Sequence, residues 1–258
     1  MRRRTRIYPI LIYHCSDMSK IVLIIQARMS STRLPGKSMM LLADKPLVYR
    51  MVERLKKCKK IGEIVIATSN QPEDQSLVGL AKELKVSYFQ GNLLDVRDRY
   101  LKAAEESGAD FIIRIPADNP LPDWNEIDKL VDFHLENNSQ GFSSNLAQVN
   151  NSGYLDGIGA EIFSTKLLQE SVARSSSDTV KEHVHRNFFD YSTQTPVDPS
   201  WCPIASPKAP AELRRPDIIL DVNTMDDYTK IKRIYDYLYP KNPNFTTVDV
   251  INFLDKGI

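Results

Sequence analysis

The sequence has few cysteines, no long apolar run and almost no net charge. Its three cysteines, Cys15, Cys58 and Cys202, fit neither a disulfide framework nor the paired spacing of a structural zinc site. No stretch approaches the roughly 20 apolar residues of a membrane-spanning helix. The 34 basic and 33 acidic residues nearly cancel, which excludes general attraction to nucleic acid or to anionic membranes. We expect a cytoplasmic protein without nucleic-acid or membrane partners, in which a local cluster holds any bound anion.

The beginning of the chain differs from the rest. Residues 1–17 include basic residues, as a signal peptide does, but their apolar run is short, is broken by Pro9 and lacks a small-residue cleavage site. Met18, just before the first apolar run, is an alternative start. We expect 1–17 to be a disordered extension or a misassigned start, and 18–258 to form one domain, since 42% hydrophobic residues can supply a full core.

Apolar strands alternate with amphipathic helices in the first half of the chain. The run Ile21–Gln26 is continuously apolar and β-branched, as a strand covered on both faces should be. Further strands are predicted at 64–68, 86–89 and 111–115, with helices at about 46–55, 73–85 and 96–107. This alternation indicates a three-layer α/β fold with a mostly parallel sheet. Ligands of such folds bind beyond the carboxyl ends of the strands, here the loops 27–37, 68–72 and 116–122.

The second half of the chain is less regular. Helical patterns recur at about 124–137, 165–174, 179–189, 226–239 and 247–256. Residues 138–160 are polar and rich in Asn and Ser, which predicts an excursion from the core. The proline-rich stretch 195–216 is predicted to be irregular, and the apolar run Asp217–Val222 to be a last strand.

The first predicted loop carries a cluster of cations. Arg28, Arg33 and Lys37 fall within ten residues, interleaved with Ser30, Ser31, Thr32 and Gly36. Guanidinium groups bind phosphate oxygens bidentately, lysine adds a mobile charge, and turn amides add donors. The loop lacks both the GK[ST] ending of a P-loop and the GxGxxG of dinucleotide folds. Three cations at the ligand-binding edge of a parallel sheet predict a triphosphate site.

The segment QARMSSTRLPGK, residues 26–37, resembles the signature loop of the CMP-KDO and acylneuraminate cytidylyltransferases, in particular their SpsF-like branch for spore-coat polysaccharide biosynthesis. The resemblance continues to the C-terminus through ATSNQPED, RIPADNPLPD, EIFS, KEHV and DVNTMDDY. It implies the nucleotide-diphospho-sugar transferase sandwich, which is Rossmann-like and GT-A-like. It also implies a homodimer, for which 138–160 is a candidate exchange surface.

The resemblance further implies a Mg²⁺ cofactor and suggests its ligands. The family's metal-binding aspartate stands in a GDxPL motif, which ADNPL matches with Asp118, although Ala117 replaces the glycine. A second family carboxylate, in VDTPED, is replaced here by Asn223. Asp221, two residues earlier, shares the predicted strand face with Asn223 and could supply the missing charge.

The resemblance assigns the other site residues to two groups. The nucleotide-binding group comprises Gln26, Ala27, Ser30, Ser31, Thr68, Ser69, Asp98 and Arg99. The sugar-binding group comprises Arg114, Asn119, Glu161, Glu182 and His183. For Asp98 and Arg99, an exposed ion pair on a helix is the competing interpretation.

Together these patterns predict an enzyme that transfers CMP from CTP to a sugar, an acidic one by the resemblance, with release of pyrophosphate. Arg28, Arg33, Lys37 and Asp118 are the predicted catalytic residues. One alternative is a nucleotidyltransferase acting on a sugar 1-phosphate, whose usual signature has glycines where Ala27 and Ser30 stand. Another, suggested by Ala117 and Asn223, is a catalytically weak nucleotide-binding relative.

Overall fold

A central seven-stranded sheet organises the protein. The structure is a computed structural model that describes residues 19–146, 149–174 and 181–257. The predicted extension 1–17 therefore lies outside the described residues. The strands of the sheet, in spatial order, are β11 (Ile204–Ala205), β7 (Phe142–Ser144), β8 (Glu161–Ser164), β6 (Phe111–Pro116), β1 (Ile21–Gln26), β4 (Glu63–Ser69) and β5 (Ser87–Gly91).

The sheet is mostly parallel. Strand β1 pairs in parallel with β4 and β6, and β4 pairs in parallel with β5. The exceptions surround β8, which runs antiparallel to both β6 and β7. Two short antiparallel hairpins lie outside the sheet: β2 (Leu41–Leu42) with β3 (Lys45–Pro46), and β9 (Phe189–Asp190) with β10 (Thr195–Pro196).

Seven described helices connect and cover the strands. They are α1 (Leu47–Leu55), α2 (Gln75–Leu84), α3 (Val96–Glu106), α4 (Trp124–Asn137), α5 (Thr165–Arg174), α6 (Met225–Leu238) and α7 (Thr247–Asp255). Helices α6 and α7 each begin with a capping box, formed by Thr224 with Asp227 and by Thr246 with Asp249. None of the helices among the described residues is long and apolar enough to cross a membrane.

Successive residues of β1 enter two different hydrophobic cores. Leu23 and Ile25 face a core built with α1, α2, α4, α6 and α7, whereas Val22 and Ile24 face a core built with α3 and α5. This alternation is the period of two expected for a strand covered on both faces. The predicted three-layer α/β architecture is confirmed.

Two predictions for the second half of the chain are wrong. Segment Asp217–Val222 is not a strand, because a single bridge from Ile219 to Asp156 is its only ladder pairing in the described chain. The polar stretch 138–160 was predicted to leave the core, yet it contributes β7, whose buried Phe142 stacks on Phe163. A third prediction, the helix 179–189, differs in part. Its residues 179–180 lie outside the described residues, and Val184–Asn187 form a 3₁₀ turn instead of an α-helix.

Candidate functional site

The loop after β1 folds back on itself through backbone hydrogen bonds. The carbonyl of Met29 accepts from the amides of Ser31, at 3.0 Å, and of Gly36, at 2.9 Å. Gly36 has a φ of 72°, a left-handed conformation that glycine adopts without strain. A 3₁₀ turn, Lys37–Met39, follows directly. The sequence Pro35-Gly36 thus turns the chain so that Lys37 points back towards the sheet edge.

Asp74 is a residue of this site that the sequence interpretation missed. It is fully buried, and its carboxylate accepts from the Met29 amide at 2.7 Å. The other carboxylate oxygen accepts from the amide and the hydroxyl of Ser69 at the end of β4. Asp74 therefore joins the loop after β1 to the neighbouring strand end. The signal was present as an acidic residue shortly after a buried strand, but only the fold brings it to Met29.

Replacing Asp74 by alanine is expected to lower the free energy of unfolding by about 3 kcal/mol, because three donors to a buried carboxylate lose their acceptor. The loop would also lose its anchor, so binding of the nucleotide that the sequence predicts should weaken. Urea unfolding and calorimetric titration with CTP measure the two effects. Asp132→Ala, which removes an exposed carboxylate that pairs with Lys60, is the control. An Asp74 variant as stable as that control would contradict the anchoring role.

Lys37 and Arg33 connect the loop to two other chain segments. The Lys37 ammonium lies 3.3 Å from the Asp118 carboxylate and donates to the Val222 carbonyl at 2.8 Å. Arg33 donates to the amide oxygen of Asn223 at 2.6 Å. The Val222 amide in turn donates to the carbonyl of Asp118 at 2.7 Å. The structure thus brings together the cations of the loop, the aspartate after β6 and the segment before α6.

A group of carboxylates lies beside these cations. Burial raises the pKa of Asp221, and the neighbouring charges of Asp156 and Asp118 raise it further. Asn223 donates from its amide nitrogen to Asp221, so the two residues are in contact although the predicted strand is absent. Gly157, with a φ of 91°, lets the chain beside Asp156 pass close to the Leu220–Asp221 backbone. This arrangement concentrates negative charge that a cation would stabilise.

The cation cluster opens into a cavity of about 260 Å³ at the carboxyl ends of β1 and β6. Eleven residues singled out in the sequence line it: Gln26, Arg28, Ser31, Thr32, Arg33, Lys37, Arg114, Ala117, Asp118, Glu182 and His183. Burial, with Arg186 nearby, lowers the pKa of the His183 imidazole. Arg28 faces Glu182 across 3.8 Å. Cationic groups and acidic groups therefore share one cavity.

Arg114 and Glu161 form a buried ion pair behind this cavity. They are direct cross-strand partners on β6 and β8, and Arg114 Nη1 donates to Glu161 Oε2 at 2.6 Å. Burial is the largest influence on the pKa of Glu161 and would raise it, but the Arg114 charge, nearby His185 and the hydrogen bonds from Tyr191 and Arg114 together lower that pKa. Glu161 is 1% exposed, so of this predicted sugar-binding pair only Arg114 reaches the cavity wall.

Several predicted site residues do not line the cavity. The side chains of Ala27 and Asn119 are buried, and Ser30 is exposed to solvent. Asp98 pairs with Lys102 at 2.8 Å, one turn further along α3, as the competing interpretation of a helical ion pair predicts. Arg99 is fully buried and donates to the Asn92 carbonyl at 2.9 Å.

Some buried polar atoms near the ends of β1 and β4 lack a partner among the described residues. These are Gln26 Oε1, Thr68 Oγ1, and Nε and Nη2 of Arg99. Buried polar groups are normally hydrogen-bonded, so such atoms point to a ligand or to solvent. Gln26 and Thr68 were predicted to bind the nucleotide, and their free atoms are compatible with that prediction.

A cation-lined cavity at the carboxyl edge of a mostly parallel sheet is the arrangement of a nucleotide-binding α/β protein. Residues 22–194 match the family model described as cytidylyltransferase. The chain therefore belongs to the cytidylyltransferase family, as its loop motif indicated.

Two curated relatives extend along nearly the whole chain. An uncharacterized protein of Methanocaldococcus jannaschii, MJ1063, is 31% identical over 92% of this chain and 91% of its own. The spore coat polysaccharide biosynthesis protein SpsF of Bacillus subtilis is 29% identical over 93% of this chain and 96% of its own.

Solved structures share the fold. A cytidylyltransferase from Leptospira borgpetersenii superposes with a TM-score of 0.81 at 30% identity, covering 93% of this chain and 95% of that one. A CMP:2-keto-3-deoxy-manno-octonic acid synthetase complexed with CTP gives a TM-score of 0.58 at 15% identity, covering 84% of this chain and 99% of its own. The second comparison supports the fold alone.

Proposed function

We propose that the protein transfers CMP from CTP to a hydroxyl of an acidic sugar and releases pyrophosphate, in the biosynthesis of a surface polysaccharide. The observation that carries this proposal is the convergence of Arg33, Lys37 and Asp118 in one cavity beside Arg28. Family membership supports cytidylyl transfer, and the SpsF relative is named for polysaccharide biosynthesis. We further propose that the protein works in the cytoplasm as a homodimer.

The loop cations are suited to the leaving group. In attack on the α-phosphorus, negative charge builds up on the departing pyrophosphate, and fixed cations stabilise that charge most when water is excluded. Lys37 is 12% exposed at its side chain and is already held by Asp118 and Val222. We assign Arg28, Arg33 and Lys37 to the phosphate chain of CTP. Because these groups are ordered by protein contacts, little reorganisation accompanies the reaction.

The residues also fit a divalent cation. No three His, Cys, Asp or Glu side chains in the described part of the chain form a metal cluster by themselves. Mg²⁺ characteristically uses one or two carboxylates together with phosphate oxygens and water, so such a cluster is not needed. Asp118, at the cavity wall, and Asp221, whose pKa is raised by burial and adjacent carboxylates, would hold the ion. Bound there, it would supply charge stabilisation to the phosphates.

The departures from the family motif occupy defined places. Ala117 is 5% exposed and lines the cavity with its small side chain. Asn223 accepts from Arg33 and donates to Asp221, so it links the loop after β1 to the carboxylate that we assign to the metal. In this proposal Asp221 takes over the charge that Asn223 lacks.

A substrate panel tests the function. Purified protein is incubated with Mg²⁺, each of the four nucleoside triphosphates, and either 2-keto-3-deoxy sugar acids or sugar 1-phosphates, and pyrophosphate release is followed. We expect release with CTP and a sugar acid. Release that requires a sugar 1-phosphate would instead make the protein a pyrophosphorylase. Binding of CTP without release for any acceptor would make it a catalytically weak nucleotide-binding relative.

A further inference from the structure

A tyrosine outside the cavity contacts the ion pair behind it. The hydroxyl of Tyr191, just after β9, donates to Glu161 Oε1 at 2.6 Å. Glu161 therefore uses one oxygen for Arg114 and the other for Tyr191. Burial and the Glu161 charge raise the pKa of Tyr191 well above its usual value, so its hydroxyl remains a donor.

His185 also lies beside Glu161, but it does not hydrogen-bond to the carboxylate. Its ring packs edge-on against Tyr191 with centroids 4.5 Å apart. Its Nδ1 lies 3.9 Å from Glu161 Oε1, too far for a hydrogen bond. Burial lowers the pKa of His185 to about 3, so the imidazole is neutral. Tyr191 is thus the group that holds Oε1.

The hydrogen bonds of Glu161 bear on how many N–H groups of Arg114 are paired. A carboxylate with two free oxygens pairs with arginine bidentately and takes two N–H groups. Here Glu161 takes Nη1 alone, through Oε2, and its Oε1 accepts from Tyr191. Arg114 Nε is buried and has no hydrogen-bond partner in the portions of the chain that the structure describes. Arg114 also lines the cavity, and its Nη2 is not among the buried atoms without a partner, so this group is available to a ligand there.

We propose that Tyr191 is a positioning residue for the acceptor side of the site: by holding one oxygen of Glu161, it keeps Arg114 singly paired and leaves the rest of its guanidinium for the acceptor sugar. The inference rests on the proposed function in assigning an acceptor to Arg114. The contacts that join Arg114, Glu161 and Tyr191 are observed independently of that function. Without the tyrosine hydroxyl, Glu161 rotates and captures a second N–H group of Arg114.

The test compares Tyr191→Phe with a matched variant. Tyr154 donates to Glu126 at the same 2.6 Å, and Glu126 also pairs with a base, Lys129, but none of the three lines the cavity. With CTP and the best sugar acid of the panel, Tyr191→Phe should raise the KM for the sugar roughly tenfold and leave the KM for CTP unchanged. Tyr154→Phe should change neither constant. Equal KM values for the sugar in Tyr191→Phe and the wild type would overturn the proposal.

A second measurement does not depend on turnover. The ¹⁵N-detected Nε–H signal of Arg114, assigned by its loss in Arg114→Lys, reports how the guanidinium is bonded. We expect it to shift in Tyr191→Phe and to stay in place in Tyr154→Phe. If no acceptor supports release, the proposed function fails while this signal still tests the role of Tyr191. An unmoved Arg114 signal in Tyr191→Phe would refute that role whatever the substrate.

Discussion

Replacing Asp118 by asparagine is expected to reduce Mg²⁺-dependent turnover at least about a thousandfold and to leave the fold intact. Loss of a metal-binding carboxylate removes several kcal/mol of transition-state stabilisation, and each 1.36 kcal/mol is tenfold in rate. The fold should persist because the backbone carbonyl of Asp118 still accepts from Val222, and an asparagine oxygen can still accept from Lys37. Initial rates of pyrophosphate release, with circular dichroism of the same samples, measure both outcomes.

The control for Asp118→Asn is Asp132→Asn, the same change on the exposed face of α4, where the carboxylate pairs with Lys60. It should retain wild-type rates. Increasing the Mg²⁺ concentration adds a further arm, because a weakened metal site is partly restored by mass action. If Asp118→Asn releases pyrophosphate at a rate within tenfold of the wild-type rate at low Mg²⁺, Asp118 is not a ligand of the metal.

The sequence predicted the fold well where local pattern and tertiary context agree. The strand Ile21–Gln26 and the helices Trp124–Asn137 and Thr165–Arg174 have the predicted bounds. Continuous apolar runs and helical periodicity specify such elements almost independently of their neighbours. The strand prediction for Asp217–Val222 failed although Ile218, Leu220 and Val222 are buried in the hydrophobic core. The backbone of the segment bonds to Asp156 and Asp118, which lie outside the strands, and not to a neighbouring strand. An apolar run indicates that a segment is buried, and a segment can be buried without pairing to a strand of a sheet.

The candidate site also contains residues that the sequence predicts and residues that it does not. The cations of the first loop could be predicted because they are close in sequence and follow a buried strand. Asp74 and Tyr191 could not, since each acts through a partner more than 25 residues away, Met29 and Glu161 respectively. Single-sequence patterns carry no information about such pairs. Asp221 was proposed from strand periodicity, and its contact with Asn223 arises instead from the turn before α6.

Replacing Lys37 by methionine is expected to weaken CTP binding about a hundredfold and CMP binding severalfold at most. Methionine keeps most of the side-chain volume but removes the charge that we assign to the leaving pyrophosphate. The loss of one charge-assisted contact to a partly buried phosphate corresponds to about 2–3 kcal/mol. Calorimetric titration with CTP, CDP and CMP gives the three affinities, and the loss should grow with the number of phosphates.

Lys45→Met is the matched control, since Lys45 is half-buried, pairs with Glu83 and does not line the cavity. Because Lys37 also contacts Asp118, its removal could act through that carboxylate rather than through the nucleotide. Titrations repeated without Mg²⁺ separate the two effects: a direct phosphate contact keeps the CTP-to-CMP difference, whereas an effect through Asp118 loses it. Equal losses for CTP and CMP in both conditions would mean that Lys37 does not contact the leaving group, and the phosphate chain would then have to be reassigned to Arg28 and Arg33.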